Sequence, residues 1–341
     1  MAKSDLQFAG EFLVIKCELM TTNGTTYDIR QLVQSINIYE DIFSTAVSGD
    51  ITIKDTNNMV FNGPIVGEEK LLLKIQTPQK SPNQDTIIDY TDTPLSVYRL
   101  NMVTGEGENA LLYSLNFTTQ EAMRNQSSRV SQSYKGQPSE IIEKILRDKN
   151  YLDSTRRLFV EDTANMTKVV FPNIKPFIAI KHLTEISNSK QYNQSPAYLF
   201  YETTRGFHFR SIDGLASQET KWEYEENIPN TLSEKGTIDV EKNLHTMNSF
   251  SVMPTRDTIY NMSEGFYSSR LRVHNIYDKK LKDYSFNYLD NFANDIHTDG
   301  GSSAIITESV DTQTGKRLTD HDDTKLFVST TSSTKHFSEG K

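Results

Sequence analysis

The sequence predicts a mainly β protein with a small α/β part, and three patterns carry that reading. The first third alternates apolar and polar residues at period two, as half-buried strands do. Two stripes at helical spacing, each opened by a proline, then interrupt it. A second alternating hairpin follows them.

Taken in order, Phe12–Leu19, Val33–Tyr39, Gly49–Lys54 and Lys70–Thr77 read as strands. Tyr98, Leu100 and Met102 alternate with Arg99 and Asn101, and Leu111, Tyr113, Leu115 and Phe117 share one face of Ala110–Thr118. The glycines of Thr104–Asn109 supply the turn between those two strands. Six short strands in so little chain predict a small antiparallel barrel or sandwich. The polar stretch between Pro78 and Pro94 reads as a long hairpin loop, either a subunit contact or a mobile tip.

After Thr118 the period changes. Pro138 opens a helix with Ile141, Ile142, Ile145 and Leu146 on one stripe, and Pro176 opens another with Phe177, Ile180 and Leu183. Proline suits a first helical turn, whose N–H groups lack intrahelical partners. Arg157–Val160 and Lys168–Phe171 read as short strands between them. Ala197–Glu202 and Phe207–Ile212 form a hairpin across Thr-Thr-Arg-Gly. Leu244–Tyr260 and Ser268–Tyr277 have strand character, and from Asp290 the chain turns polar and irregular. The domains expected are therefore 1–118, a first β-barrel; 119–195, an inserted α/β domain; 196–245, the start of a second barrel; and 246–341, a β-rich accessory region with a polar C-terminal tail.

Composition excludes several classes. Forty-five acidic residues against 36 basic give a net charge of −9, so no global basic field attracts nucleic acid. The single cysteine, Cys17, cannot pair within the chain and reads as a small core residue. No run approaches the roughly 18 apolar residues that span a bilayer, and the first residues lack a signal-peptide pattern. A protein made in a cytoplasm and not inserted in a membrane is expected.

No catalytic, cofactor-binding or metal-binding set emerges, so neither an enzyme nor a cofactor is expected. The seven histidines form no ligand pair. Asp320-His321-Asp322-Asp323 reads as a solvated acidic turn, since adjacent residues cannot all converge on one ion. Gly105-Glu-Gly107 precedes a strand instead of a helix and so cannot cradle phosphate.

Several stretches nevertheless resemble one family. These are Ile36-Asn-Ile-Tyr-Glu-Asp-Ile-Phe-Ser44, Ser48-Gly-Asp-Ile-Thr-Ile-Lys-Asp-Thr-Asn57, Pro64-Ile-Val-Gly-Glu-Glu-Lys-Leu71, Arg129-Val-Ser-Gln-Ser-Tyr-Lys-Gly136, Val160-Glu-Asp-Thr, Phe171-Pro-Asn173 and Phe200-Tyr-Glu-Thr-Thr-Arg-Gly-Phe-His-Phe-Arg-Ser-Ile212. In this order they resemble the baseplate central hub proteins of T-even-like contractile-tail bacteriophages. The resemblance implies tail-tube-like β-barrel domains plus an inserted α/β domain. It implies a homotrimer that adapts a sixfold tail tube to a threefold central spike, because a hexamer meets a threefold object only through duplicated sites. The tail tube protein and the central spike protein would be its partners, with baseplate wedge proteins as a further candidate and DNA only passing through the channel. Assembly in the bacterial host cytoplasm and residence in the virion baseplate follow from the same resemblance.

Tyr39, Glu40, Asp41, Phe43, Gly49, Asp55, Gly67 and Glu68 are the family-motif residues and candidate subunit contacts. Tyr39–Asp41 could equally cap a strand end. Gly49 reads as a bulge or turn, Asp55 as the head of an Asx-rich turn, and Gly67 as a turn before a strand. The family pattern continues beyond the position of Lys341, so the second barrel is expected to be incomplete or completed from elsewhere. The alternatives are the N-terminal hub component of a secretion-system spike or phage-like injection particle, an uncharacterised enzyme, and a carbohydrate-binding β-module.

Overall fold

The computed structural model describes residues 12–57, 59–62, 65–77, 87–105, 110–192, 195–220, 223–226, 246–247, 249–251, 257–276, 279–292, 310 and 312–330. The chain divides into two compact units, Met1–Ser249 and Phe250–Lys341. Residues 78–86 of the expected long loop and 106–109 of the expected turn lie outside the described residues, as do 227–245 and the last eleven residues.

The protein is mostly antiparallel β, with a curled half-barrel sheet and few helices. In the first unit β1 (Leu13–Met20), β2 (Thr26–Asp28), β3 (Val33–Tyr39), β4 (Ser48–Asp55), β5 (Lys70–Gln76), β6 (Ile87–Asp89), β7 (Leu95–Gly105) and β8 (Leu111–Thr118) form one eight-stranded sheet. Its order is β2-β1-β5-β7-β8-β4-β3, with β6 on β5, and every pairing is antiparallel. Register shifts between Val97 and Arg99, and between Asn101 and Thr104, interrupt β7, and such bulges strengthen local twist. A single-turn helix α1 (Met59–Asn62) follows β4.

Period two decides which side of the sheet is wet. Ile51 and Ile53 of β4, Leu71 and Leu73 of β5, and Tyr113, Leu115 and Phe117 of β8 are fully buried in one core with Cys17 and Leu19. Each such aromatic or branched side chain contributes roughly 1.5–3 kcal/mol by leaving water. Burial also pushes the Cys17 thiol up to about 12, which leaves it protonated and unreactive. Gly49 is not at a bulge. It sits inside the regular β4 ladder, opposite Ile38 on one side and Phe117 on the other. A Cβ there would overlap the Asn37 carbonyl oxygen and the Phe117 ring, so close approach explains the glycine.

The rest of the first unit is the α/β part: α2 (Gln120–Ser127), β9 (Ser133–Gly136), α3 (Pro138–Arg147), β10 (Leu158–Val160), β11 (Thr167–Val170), α4 (Pro176–Glu185), β12 (Tyr198–Thr203), β13 (Gly206–Ser211) and α5 (Ile212–Ala216). β12 and β13, read from the sequence as the opening of a second barrel, make a three-stranded sheet with β10 in the order β10-β13-β12. Tyr198, Phe200, Phe207 and Phe209 share a core with Ile141, Ile142, Ile145 and Leu146 of α3 and Phe177, Ile180 and Leu183 of α4. Apolar area opposite two helix stripes is the nearest place for those rings to leave water, which is why the hairpin packs there.

Two short strands close the first unit, β14 (Glu225–Glu226) and β15 (Thr246–Met247), paired in parallel. In the second unit β16 (Ser268–Asn275) pairs antiparallel with β17 (Lys280–Asn287) and parallel with β18 (Leu326–Thr330). Strand β18 arises in the stretch read as polar and irregular. Part of Leu244–Tyr260 is not strand either. Thr258–Ser263 is a helix, started by Asp257, whose side chain accepts from Tyr260 N at 2.9 Å, a standard N-cap arrangement. Among the described residues no helix is long and apolar enough to cross a membrane.

Candidate functional site

The loop between β3 and β4 brings four of the candidate contact residues together. Tyr39, at the end of β3, donates its hydroxyl to Asp50 at 2.8 Å. Asp41 accepts from Phe43 N at 2.9 Å, and Ser44 N donates to the Asp41 carbonyl at 3.0 Å. This local Asx turn holds the bend and displays Ile42 and Phe43, the latter 78% exposed. Single exposed apolar side chains are common on protein surfaces, but here Ile42 and Phe43 are adjacent and exposed on a loop whose bend is held.

The loop is clamped to the α/β part at both ends. Glu40 accepts from the backbone N–H of Thr204, in the turn between β12 and β13. At the other end Val47 is fully buried. Its N–H donates to Glu202 Oε2 at 2.9 Å, and its carbonyl accepts from Thr118 Oγ1 at 2.8 Å. Ala46 packs against the second core.

Glu202, on the core-facing register of β12, organises this joint. Its Oε2 also accepts from Thr119 Oγ1 at 2.8 Å, and its Oε1 takes the Arg156 guanidinium. Arg156 reaches on to the carbonyls of Thr203 and Thr204 at 3.0 and 2.9 Å, and lies 5.1 Å from the Tyr90 ring centre. Both charged side chains are almost completely buried. Burial pushes the Glu202 carboxyl up to about 7, against the pull of Arg156, the Val47 amide and the Thr119 hydroxyl. Desolvating a carboxylate costs more here than its donors return.

A second buried carboxylate, Glu161, serves the α/β part alone. It accepts from Ser189 Oγ at 2.6 Å, Tyr198 Oη at 3.1 Å, and Ser211 N at 2.9 Å and Oγ at 2.8 Å. Every contact is a framework hydrogen bond, and the side chain is buried.

The other candidate residues lie apart from the loop. Asp55, at the far end of β4, is buried and accepts from Asn57 N at 2.8 Å and Met59 N at 2.5 Å, so it caps the turn into α1. Gly67 has φ +87°, the left-handed region that favours glycine. Its N–H and that of Val66 bond to Glu69, at 2.9 and 2.6 Å. Glu69 is buried, whereas Glu68 faces solvent. Among the described residues no group of His, Cys, Asp and Glu could hold a metal ion. Asp322 and Asp323 instead pair with Arg270 at 2.9 and 3.0 Å.

Sequence reading passed over Arg156 and Glu202. One signal for Glu202 was present: it shares the parity of Tyr198 and Phe200, and a charge on an inward register needs a partner. Nothing near it in sequence names Arg156, which is 46 residues away.

No protein-family model matches the chain, and no curated protein matches it by sequence. Solved structures similar to it include a tail protein from Neisseria meningitidis MC58, with 10% identity, a TM-score of 0.47, and 95% of this chain and 74% of that one covered. The 43 kDa tail protein of prophage MuSo2 from Shewanella oneidensis is similar at 8% identity and TM-score 0.47, over 93% of this chain and 72% of that one. Prophage tail protein gp18 from Listeria monocytogenes EGD-e is similar at 7% identity and TM-score 0.42, over 92% and 72%. With TM-scores below 0.5, these likenesses fix no residue's role.

Proposed function

We propose that this chain is a non-enzymatic structural protein of a contractile tail: a homotrimeric baseplate hub that joins the sixfold tail tube to the threefold central spike and lines the DNA channel. The ordered family-like stretches from Ile36 to Ile212 support the reading, and four of the motif residues in them meet in the β3–β4 loop. The observation that carries it is that loop, held at Glu40 and Val47 while it presents Phe43 to solvent. A rigidly supported, exposed aromatic is what a subunit contact needs, because little ordering entropy remains to be lost on binding. Tyr39, Glu40 and Asp41 shape the loop, and Phe43 is its anchor. The acidic charge of the chain keeps DNA moving along the wall instead of adhering to it.

The test is the solution mass by light scattering, for the chain alone and with a candidate spike protein. Three times 38.9 kDa is expected in at least one condition. Phe43→Asp, at a solvent-exposed position, is expected to weaken that association at least about tenfold, the scale of a hot-spot residue. A single-copy mass in both conditions sinks the hub.

A further inference from the structure

We infer that the second unit's sheet joins a second copy of this chain edge to edge, β18 of one copy taking β17 of the next as an antiparallel strand. The inference rests on the homotrimer reading above, deepens it, and names a contact distinct from the Phe43 loop. Among the described residues the sheet runs β17-β16-β18, so β17 and β18 are both edges. All five residues of β18 are exposed, as are seven of the eight in β17. Alternation decides which backbone groups are left over. Arg270 N donates to the Lys325 carbonyl at 2.9 Å. Lys325, Phe327 and Ser329 therefore turn towards β16, and Leu326, Val328 and Thr330 turn their N–H and C=O away from it. Tyr288 N donates to the Tyr267 carbonyl at 3.0 Å, so along the same ladder the outward groups of β17 fall on Leu281, Asp283 and Ser285. Such rows are templates for another strand. Leu326–Thr330 carries neither charge nor proline, two devices that keep an edge solitary.

The side chains make the same demand. Tyr284 and Phe327 flank Leu271 in register across the three strands. With Phe286, two residues along β17, they form an apolar face left between 37% and 54% exposed. The opposite face carries ion pairs, Arg272 with Asp283 and Arg270 with Asp322 and Asp323. Leu326 and Val328 lie on that side, at the edge itself, and are exposed too. Tyr267 and Phe292 are the unit's buried apolar residues among those described, and a small sheet needs a covered apolar face to be stable. Three such sheets joined edge to edge close on themselves and turn that face inward, which also removes every edge.

Geometry and charge both select a second copy as the occupant. A rotation axis along the strands keeps strand direction from copy to copy. Since β16 is antiparallel to β17 and parallel to β18, β18 then meets the next copy's β17 antiparallel. Antiparallel addition sets Lys325, just before β18, beside the Phe286 end of the next β17, and sets Lys280 and Lys282 beside Thr330. Parallel addition would line the lysines up, and like charges directly opposite are destabilising. Asp283, the acidic residue on the outward row, is already matched by Arg272 at 2.8 Å. A strand from another protein would satisfy one edge and leave the other open. A ring of copies satisfies both edges of every copy through one repeated contact.

The experiment measures the full chain's association by light scattering against concentration, alone and with a candidate spike protein. Val328→Pro removes an N–H that points away from β16, so the ladder within the sheet survives. Ser285→Pro does the same on the other edge, at the loss of one exposed side-chain bond to Asp322. Each variant is expected to weaken association at least about tenfold, since main-chain hydrogen bonds supply the affinity of strand addition. Mixing the two is expected to restore a two-copy mass, because β18 of S285P and β17 of V328P are both intact. That recovery separates a lost contact from a lost fold, and variants that stay apart on mixing overturn the inference. Association unchanged in both variants overturns it and leaves the hub reading intact. Loss in V328P with none in S285P also overturns it, by giving the β18 edge to a different strand. A wild-type chain that stays at one copy's mass in both conditions overturns both readings.

Discussion

The two units use the same strand chemistry to different ends. In the first, alternation places Ile51, Ile53, Leu115 and Phe117 in a core with no exposed surface. In the second, the strands β16, β17 and β18 keep complete ladders, yet Leu271, Tyr284, Phe286 and Phe327 remain between 37% and 54% exposed. Only Tyr267 and Phe292 are buried apolar residues among its described positions. Backbone pairing is thus common to both, and apolar burial belongs chiefly to one. Since a hydrogen bond exchanged with water contributes only about 0.5–1.5 kcal/mol net, the first unit holds most of the intrinsic stability.

The largest effect should come from the first core. Phe117→Ala removes a fully buried ring that also packs against Gly49, and truncation of a buried Phe costs about 3–5 kcal/mol. Chemical denaturation followed by circular dichroism is expected to show that loss in the first unit's transition. Equal loss in both units would erase the contrast between them. Hydrogen exchange sharpens the same point: amides of β4 and β8 should require the global opening, and those of β16–β18 a smaller local one.

Next comes the joint between sheet and α/β part. Glu202→Ala leaves Arg156 buried beside two carbonyls and a ring and strands the Val47 amide and Thr119 hydroxyl. Removing one member of a buried ion pair costs about 3 kcal/mol or more, and the Val47 amide should exchange far faster. The milder Glu202→Gln has a pH signature. Because the folded value is raised from 4.5 to about 7, Glu202 contributes most below pH 4.5, and that contribution is lost as pH rises through 7. The deficit of the Gln variant should accordingly shrink as pH rises across that window. A deficit that grows would mean the ionised form is the favoured one.

His208 works in the opposite direction. Burial first, then Arg210 and Arg205, pull its value from 6.5 down to about 4. Stability is therefore full above pH 6.5 and is lost as pH falls towards 4. His208→Phe keeps a ring between Phe159 and Tyr201 and removes the titration. Its stability relative to wild type should rise between pH 7 and pH 5 by about 1 kcal/mol, after allowance for solvent at a partly exposed ring. A pH-independent difference would show that the imidazole is protonated as readily in the folded state as in the unfolded one.

What was legible in the sequence divides along the same line as the two units. Strands and helices whose apolar period faces a core, such as Leu111–Phe117 and Ile141–Leu146, could be read directly, because local spacing and tertiary burial agree. The partner of β12 and β13 could not, since nothing local distinguishes a barrel edge from a sheet packed on α3 and α4. Of the site, the Tyr39–Phe43 loop was visible as a motif, but its clamp was not. Arg156 and Glu202 are brought together by topology, and only the parity of Glu202 hinted at burial. Strand β18 escaped for a further reason: all five of its residues are exposed, so it owes its existence to β16 and carries no core pattern of its own.

The smallest effect tests the second unit's ion pairs. Arg272 pairs with Asp283 across the β16–β17 ladder at 2.8 Å, with both side chains about 40% exposed. Exposed pairs of this kind contribute little to stability and are screened by salt. Arg272→Ala should hardly move the midpoint of the second unit, and the difference should vanish in high salt. If instead it unfolds the unit, charge pairing holds that sheet in place of apolar burial. The contrast between the units would then concern which force each one uses, and the exposed Leu271, Tyr284, Phe286 and Phe327 would no longer mark a shortage of stabilising contacts.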